Sequence, residues 1–467
     1  MRGKTGKQNV TITVIGGAGR YWSPVVLRDL ALCDRLAGEV RLFDQRSSAA
    51  NAVFGNAIFQ HRDSKTEFRV TWTTDPRRAL RGADFVLIGI SPGSARLFAN
   101  DLDIPLRHGI LQTVGDTTGP GGISRALRTV PLMTRFAEAV MEHCPAAWVI
   151  NYANPMTLAT ASLYAAAPRI KAFGSCHEVA AAHRRLALIA DPCAAATRRP
   201  QAHIHLDVAG VNHFTFATAA RCGRTDLFPL LDRQIREPGC FADQTAYARD
   251  NATRGAFWDH RGLIALDLYR RFGVLGAAGD RHLAEFVPWY LAEGEAGLHR
   301  WGVVATPSSL RLGTWRAAPG VTPAPNPLDL PPGVPERLTP SGEEGVAQMC
   351  ALAGAGDLIT NVNLPNAGQM PGLPLGAVVE TNAAFQADSV RPIAPKSLPE
   401  AVEALVRRIV DVHRLTLLAG RTRDFDTALQ AILLDPLCRL STDHAAVLLR
   451  ELIDANREML PGWGAVR

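Results

Sequence analysis

The chain has 467 residues, 47% of them hydrophobic and 20% charged, a balance that excludes a disordered, collagen-like or small disulfide-stapled protein. That length exceeds what one hydrophobic core usually serves, so two domains, or one with a large elaboration, are expected. The formal charge of +6 is carried almost wholly by arginine, and no basic cluster interleaves with aromatics, so no nucleic-acid partner is expected.

The N-terminal basic residues precede an apolar run of only Val10–Ile15 that ends in glycines, which reads as a strand and not as a signal peptide. Further β-branched runs at Val40–Phe43, Phe68–Trp72, Phe85–Ile90 and Trp148–Asn151 alternate with helix-length segments, Ser23–Leu32, Ser47–His61 and Ile123–His143. This alternation predicts an α/β, Rossmann-type, doubly wound parallel sheet over residues 1–203. From Ile204 the pattern changes. A strand at Ile204–Val211 precedes mixed segments, then a Pro-rich stretch, Pro319–Pro340, expected as a surface loop. Helical periodicity returns in Pro399–Leu417 and Thr427–Met459. Residues 204–467 are therefore expected to form an α+β C-terminal domain for metal, substrate and oligomer contacts. Nowhere do about 18 apolar residues run together, so no membrane span is expected. The cysteines at 33, 144, 176, 193, 222, 240, 350 and 438 form no CxxC pair, which points to reduced thiols in a cytoplasmic protein.

The opening TITVIGGAGRYWSPVVLRDL sets Gly16, Gly17 and Gly19, followed by Arg20, between a strand and a helix. Such glycines permit a tight turn and let backbone N–H groups approach a pyrophosphate at the helix N-terminus. The next strand, VRLFD, ends in Asp44, where a carboxylate would accept the ribose hydroxyls of NAD and repel the 2′-phosphate of NADP. The plainer alternative makes Asp44 a turn residue.

Three further segments exceed what a plain dehydrogenase needs. VGDTTGPGGISRALRTVP carries Asp116 ahead of Gly119, Pro120, Gly121 and Gly122; NYANPM carries Asn154 before Pro155; GSCHEV carries Cys176 and is answered by GVNHF with His213. Each is expected at the carboxyl end of a strand, where doubly wound folds bind ligands. One thiolate and one imidazole are too few for a closed structural zinc site but suit an open catalytic one. Taken singly, Cys176 reads as a small buried hydrophobe and His213 as a core histidine; their joint appearance with the Asn-Pro and Gly-rich segments favours a metal.

Together with GDRHLAEFVPW, LPNAG and the VVE of Val378–Glu380, these segments resemble glycoside hydrolase family 4, the NAD- and divalent-metal-dependent glycosidases, over most of the chain. The resemblance implies a lactate/malate dehydrogenase-like architecture with NAD and Mn2+ as cofactors. It implies cleavage by C3 oxidation, C2 deprotonation, elimination, water addition and re-reduction. It also implies Cys176 and His213 as metal ligands, Asn154 as a substrate contact, and Asp116 in the position associated with leaving-group protonation. Some members carry a tyrosine as the C2 base, whereas this sequence reads GAAGDRH. Asp280 resembles the carboxylate of other members, with His177 and Tyr290 as alternatives. Without the family, Asp116 could cap the helix that follows and Asp280 could pair with Arg281. Members of this kind assemble as dimers or tetramers, so a homodimer or homotetramer is expected.

The string Cys176-His177-Glu178-Val179 resembles the α-galacturonidase subgroup, not the phosphoglycosidases or the Cys-His-Ser type of α-glucosidases, α-galactosidases and α-glucuronidases. A uronate carboxylate in a dry pocket needs a cationic partner, and Arg96, Arg281 and His282 lie in suitable segments. The expected substrate is a short α-linked galacturonide. Two other readings compete: an NAD-dependent 2-hydroxy-acid dehydrogenase, which would accumulate NADH, and a nucleotide-sensing module, which has no use for Cys176 and His213.

Overall fold

The computed structural model describes residues 6–190, 204–325 and 333–463. The β-branched runs become parallel strands β1 (Gln8–Ile15), β2 (Leu36–Phe43), β3 (Glu67–Thr73), β4 (Phe85–Ile88) and β5 (Trp148–Asn151), joined by β6 (Lys171–Gly174). Their spatial order is β3-β2-β1-β4-β5-β6, and every pairing is parallel. That is the doubly wound arrangement, with its ligand crevice at the carboxyl ends of β1 and β4, where the order reverses. β4 reads Phe-Val-Leu-Ile with all four side chains buried, because helices cover both faces of a parallel sheet. One face packs Ile12, Leu27 and Leu42, the other Val86, Met133 and Ala159.

The sheet continues past β6. The later strands are β7 (Ile204–Val211), β8 (Phe214–Cys222), β9 (Thr225–Asp226), β10 (Leu275–Gly276), β11 (Leu358–Pro365), β12 (Val378–Gln386) and β13 (Ser389–Pro392). They extend it in the order β6-β11-β12-β7-β8-β10, all antiparallel, with β9 on β8 and β13 on β12. The expected α+β half is thus built onto the edge of the parallel one. The expected boundary at 203/204, like Cys193, lies outside the described residues; the other seven cysteines are free.

Helices Trp22–Ala31 and Ala49–Phe59 lie within two residues of their predicted bounds. Helix Gly119–His143 begins four residues earlier than predicted. Its buried N-terminus is capped from a distance: the Asp435 carboxylate accepts hydrogen bonds from Thr118 Oγ1 and Gly119 N, both at 2.9 Å. The glycines are needed for close packing, since a Cβ at Gly121 would stand 2.2 Å from the carbonyl oxygen of Asp101. The predicted helical stretch from Thr427 to Met459 is broken into Phe425–Leu434, Thr442–Ala455 and a short turn at Arg457–Met459. The described parts of Pro319–Pro340 contain neither helix nor strand. Among the described residues, no helix is long and apolar enough to cross a membrane.

Candidate active site

The glycine turn after β1 is tightly drawn. Gly16 N and Gly17 N both donate to Phe43 O, at 2.9 and 2.8 Å, and Gly19 N donates to Gly16 O at 2.8 Å. Gly16 has φ +99°, and a Cβ there would lie 2.5 Å from Gly89 O, so only glycine fits. At the end of β2, Asp44 faces this turn: Oδ2 accepts from Ala18 N at 3.2 Å and Oδ1 from Arg46 N at 3.0 Å. Each oxygen keeps a lone pair for a further donor. Asn51 bridges the carbonyls of Gly17 and Gly19 at 2.7 and 2.8 Å, while Arg20 is exposed beside them. A strand, a tight turn, a helix N-terminus and a flanking carboxylate fit a dinucleotide.

The second group of residues comes from separate strand ends. Cys176 follows β6, and His213 occupies the tight turn between β7 and β8 in the left-handed region at φ +65°, a backbone state that costs a non-glycine residue roughly 1 kcal/mol. His213 Nε2 stands 3.4 Å from Cys176 Sγ. On the other side, Thr117 Oγ1 lies 2.6 Å from Asp116 Oδ1 and 2.8 Å from His213 Nδ1. Burial resists ionisation of Asp116, but the imidazoles of His282 and His213 and then Arg125 hold its carboxyl down, at about 2. An ionised Asp116 must accept the Thr117 hydroxyl, so His213 Nδ1 donates to Thr117 and the Nε2 lone pair faces Cys176. The His282 ring stacks on His213 at 3.7 Å between centroids. Burial, reinforced by His213, lowers the His282 pKa to about 3, so it too is a neutral donor at pH 7.

Asp116, His213 and His282 each bring a ligand atom within 4.8 Å of the others, and the buried Nδ1 of His282 has no partner. Burial, then Glu380 and Glu178, push the Cys176 thiol up, the direction a bound cation would reverse. Thiol, neutral imidazoles and nearby carboxylates fit a divalent transition metal with open positions.

Asn154 precedes a cis proline; its carbonyl accepts from Arg125 Nε at 3.0 Å, and its buried Oδ1 is unpartnered. Arg281 is buried, with Nη2 2.5 Å from Thr306 Oγ1. The other predicted residues bring no ligand atom to that cluster. Arg96 is exposed and bonded to Glu458 at 3.0 Å. Asp280 takes the Ala265 N–H of the helix Leu263–Phe272 at 3.1 Å, and its Oδ2 lies 3.6 Å from His260 Nδ1. His177 Nδ1 is 2.9 Å from Glu343; burial alone would lower its pKa, but Glu343 and Glu178 raise it to about 9. Tyr290 donates to Asp267 at 3.0 Å.

Four residues escaped the sequence reading. Glu178, read only as a subgroup letter, accepts from Gly279 N at 2.8 Å and lies 3.8 Å from His282 Nε2. Glu285 is fully buried and accepts from Val114 N and Gly115 N at 2.8 and 2.9 Å, fixing the segment that carries Asp116. Arg125 is buried within the Gly-rich segment. Arg311 lies on the short helix Ser308–Arg311 with no local motif to announce it.

Two family models match, Family 4 glycosyl hydrolase over residues 11–191 and the Family 4 glycosyl hydrolase C-terminal domain over 208–438. An alpha-galacturonidase of Thermoanaerobacterium saccharolyticum is 40% identical over 99% of both chains, and one of Bacillus subtilis is 37% identical over 95% of this chain and 97% of its own. The crystal structure of lplD of Bacillus subtilis, described as a glucosidase, superposes with a TM-score of 0.81 at 34% identity, over 95% of this chain and 99% of that one. Two more distant structures share the fold alone. One is a Thermotoga maritima 6-phospho-beta glucosidase solved with manganese, NAD+ and glucose-6-phosphate, with a TM-score of 0.70 at 21% identity, covering 96% and 99% of the two chains. The other is a lactate dehydrogenase from a deep-sea metagenome, with a TM-score of 0.50 at 11% identity, covering 89% and 99%. Matched along both its halves, the chain belongs to family 4 of the glycosyl hydrolases.

Proposed function

We propose that this protein hydrolyses α-linked galacturonides with the help of NAD and a divalent metal ion. The observation that carries the reading is the chain of contacts Asp116–Thr117–His213–Cys176. It sets an imidazole lone pair 3.4 Å from a sulfur, just past the carboxyl ends of β6 and β7, in a chain whose full-length relatives include an alpha-galacturonidase 40% identical to it. The glycine turn and Asp44 would hold the dinucleotide, whose nicotinamide, when bound, takes a hydride from the sugar and later returns it. Cys176 and His213 would hold the metal, which, when bound, polarises the sugar oxygens as a Lewis acid.

The remaining work belongs to side chains. Asn154 presents a free amide oxygen to a sugar hydroxyl. Asp116, ionised, supplies negative charge beside the metal donors and takes up a proton before it can give one to the departing oxygen. Asp280 keeps Oδ2 without a hydrogen-bond partner, and this reading assigns it the C2 proton, with His260 3.6 Å away. His177, paired with Glu343, starts as an imidazolium and has no free lone pair with which to act as that base.

The test is an assay of aryl α-galacturonide and α-glucoside with and without NAD, Mn2+ and a thiol reductant. Galacturonide cleavage without net NADH, lost when either cofactor is withdrawn, is expected. Rapid α-glucoside turnover with none of the galacturonide, or a full rate after the dinucleotide is stripped, would overturn the reading. Steady NADH accumulation would point instead to a dehydrogenase.

A further inference from the structure

Three guanidiniums stand near Asp116, and all three keep unused donors. Arg125 spends Nε on Asn154 O at 3.0 Å and Nη2 on Ser91 Oγ at 2.9 Å, which leaves its buried Nη1 without a partner. Arg281 spends Nη2 on Thr306, and its buried Nε is unpartnered. Among the described residues Arg311 makes no hydrogen bond at all, and its buried Nε is likewise unpartnered. None of the three has a carboxylate within salt-bridge distance among the described residues, whereas Arg96 is already paired with Glu458 at the surface.

Arg125 and Arg311 also share an aromatic neighbour, and the charge of Arg311 is felt at Arg125. Their guanidinium carbons lie 4.5 and 4.4 Å from the centroid of the same ring, that of Phe98. Stacking on an aromatic face fixes the plane of a guanidinium while leaving its in-plane N–H groups free. Burial presses both groups toward neutrality, to about 10 in each case. Two cations against one ring, each with a buried idle donor, suit an anionic guest, because an anion offsets their desolvation and can satisfy the orphaned N–H groups. Planar forks of this kind match a carboxylate by paired hydrogen bonds. A neutral hydroxymethyl group at C6 offers one oxygen and no charge.

Building on the galacturonide reading above, we propose that Arg311, assisted by Nη1 of Arg125, receives the C6 carboxylate of the sugar and sets the preference for a uronide over the neutral galactoside. Arg311 is the better candidate than Arg281, whose fork is partly committed to Thr306 and whose carbon lies 5.7 Å from the Trp258 ring centroid. Arg125 is committed on two nitrogens to holding Asn154 and Ser91, so it contributes one donor.

The experiment compares wild type, Arg311→Gln and Arg311→Lys as full-length protein with NAD and Mn2+. It reads kcat and KM for aryl α-galacturonide and aryl α-galactoside, and the direct binding of galacturonate and galactose by calorimetry. For Arg311→Gln the ratio of the two kcat/KM values should fall about 100-fold, mostly through KM for the uronide, with galacturonate binding weakened to match. Arg311→Lys, which keeps the charge but loses the fork, should fall between. Thermal melts check that all three fold. An equal loss on both substrates, or galacturonate binding unchanged in Arg311→Gln, overturns the assignment. A wild type that leaves the galacturonide intact overturns the galacturonidase reading instead, and the binding measurement still decides what Arg311 holds.

Discussion

Glu285 offers a quantitative handle on the segment that carries Asp116. Its carboxyl is fully buried and accepts two backbone N–H groups through Oε1, while Oε2 has no partner. Burial raises its pKa from 4.5 to about 7, against the two backbone hydrogen bonds that favour the charged form. Because the folded value lies above the unfolded one, the stabilising contribution is complete below about pH 4.5 and is lost as the pH rises through 7. The gap corresponds to roughly 3 kcal/mol, about 40% of it already lost by pH 5.5. Glu285→Gln keeps an oxygen for Val114 N and Gly115 N and cannot ionise. Its stability relative to wild type should therefore climb with pH and level off above pH 8. Urea denaturation of both proteins at several pH values between 5.5 and 8.5 measures the difference, and other titrating groups cancel in it. Two curves that stay parallel would refute the reasoning, since they would mean that the buried carboxyl titrates normally.

Three further outcomes are expected. Gly16→Ala meets both a positive φ and the Gly89 carbonyl oxygen 2.5 Å from the new Cβ; NAD affinity measured by fluorescence titration should fall at least about tenfold, a few kcal/mol of strain being transmitted to the turn. Asp101→Asn leaves Arg128 without its ionised partner in a pair whose side chains are both fully buried, so the urea midpoint should drop by an amount equivalent to about 3–5 kcal/mol; a change under 1 kcal/mol would contradict this. Cys176→Ser exchanges the sulfur for a harder, weaker donor, and Mn2+ binding followed by electron paramagnetic resonance should weaken about tenfold or more, while NAD binding is retained.

Five of the six parallel strands, and β7 in the antiparallel half, were legible because each carries its signal locally. Val10–Ile15 lies inside β1, Trp148–Asn151 coincides with β5 and Ile204–Val211 with β7. Where long-range contacts decide, the reading slipped. The helix expected from Ile123 begins at Gly119, because Asp435, more than three hundred residues away, caps it. The same Asp435, followed by Pro436, ends the helix Phe425–Leu434 in a segment that periodicity alone would have carried on. β11 went unseen since Asn361 and Asn363 sit among its buried positions, and polar residues in a strand read as surface until a partner such as Glu380 is known. In the site, Cys176 and His213 stood out through their motifs. Glu285 and Arg311 did not, for what makes each of them unusual is burial without a full set of partners, a property of the packed protein and not of any spacing in the chain.

How Cys176 and His213 come to face each other is a question of register. Gly174 lies opposite Asn363, Asn363 opposite Glu380, and Glu380 opposite Gly210. One row therefore crosses β6, β11, β12 and β7, two residues short of Cys176 at one end and three short of His213 at the other. A one-residue slip in any of these pairings would turn every side chain of a strand to the opposite face, so the donor pair depends on all four strands holding place. Glu380, the only ionisable residue of the row, is where they are pinned: its carboxylate accepts from Asn361 Nδ2 at 2.7 Å and from Asn212 Nδ2, next to His213, at 3.1 Å. Burial raises its pKa, those amides work against the rise, and the same charge in turn lifts the Cys176 thiol. The polar residues that hid β11 from a hydrophobic pattern are thus the ones that align the strands beneath Cys176 and His213. The addition of the second half to the sheet edge is, in this sense, what brings Cys176 and His213 from opposite ends of the row to within 3.4 Å of each other.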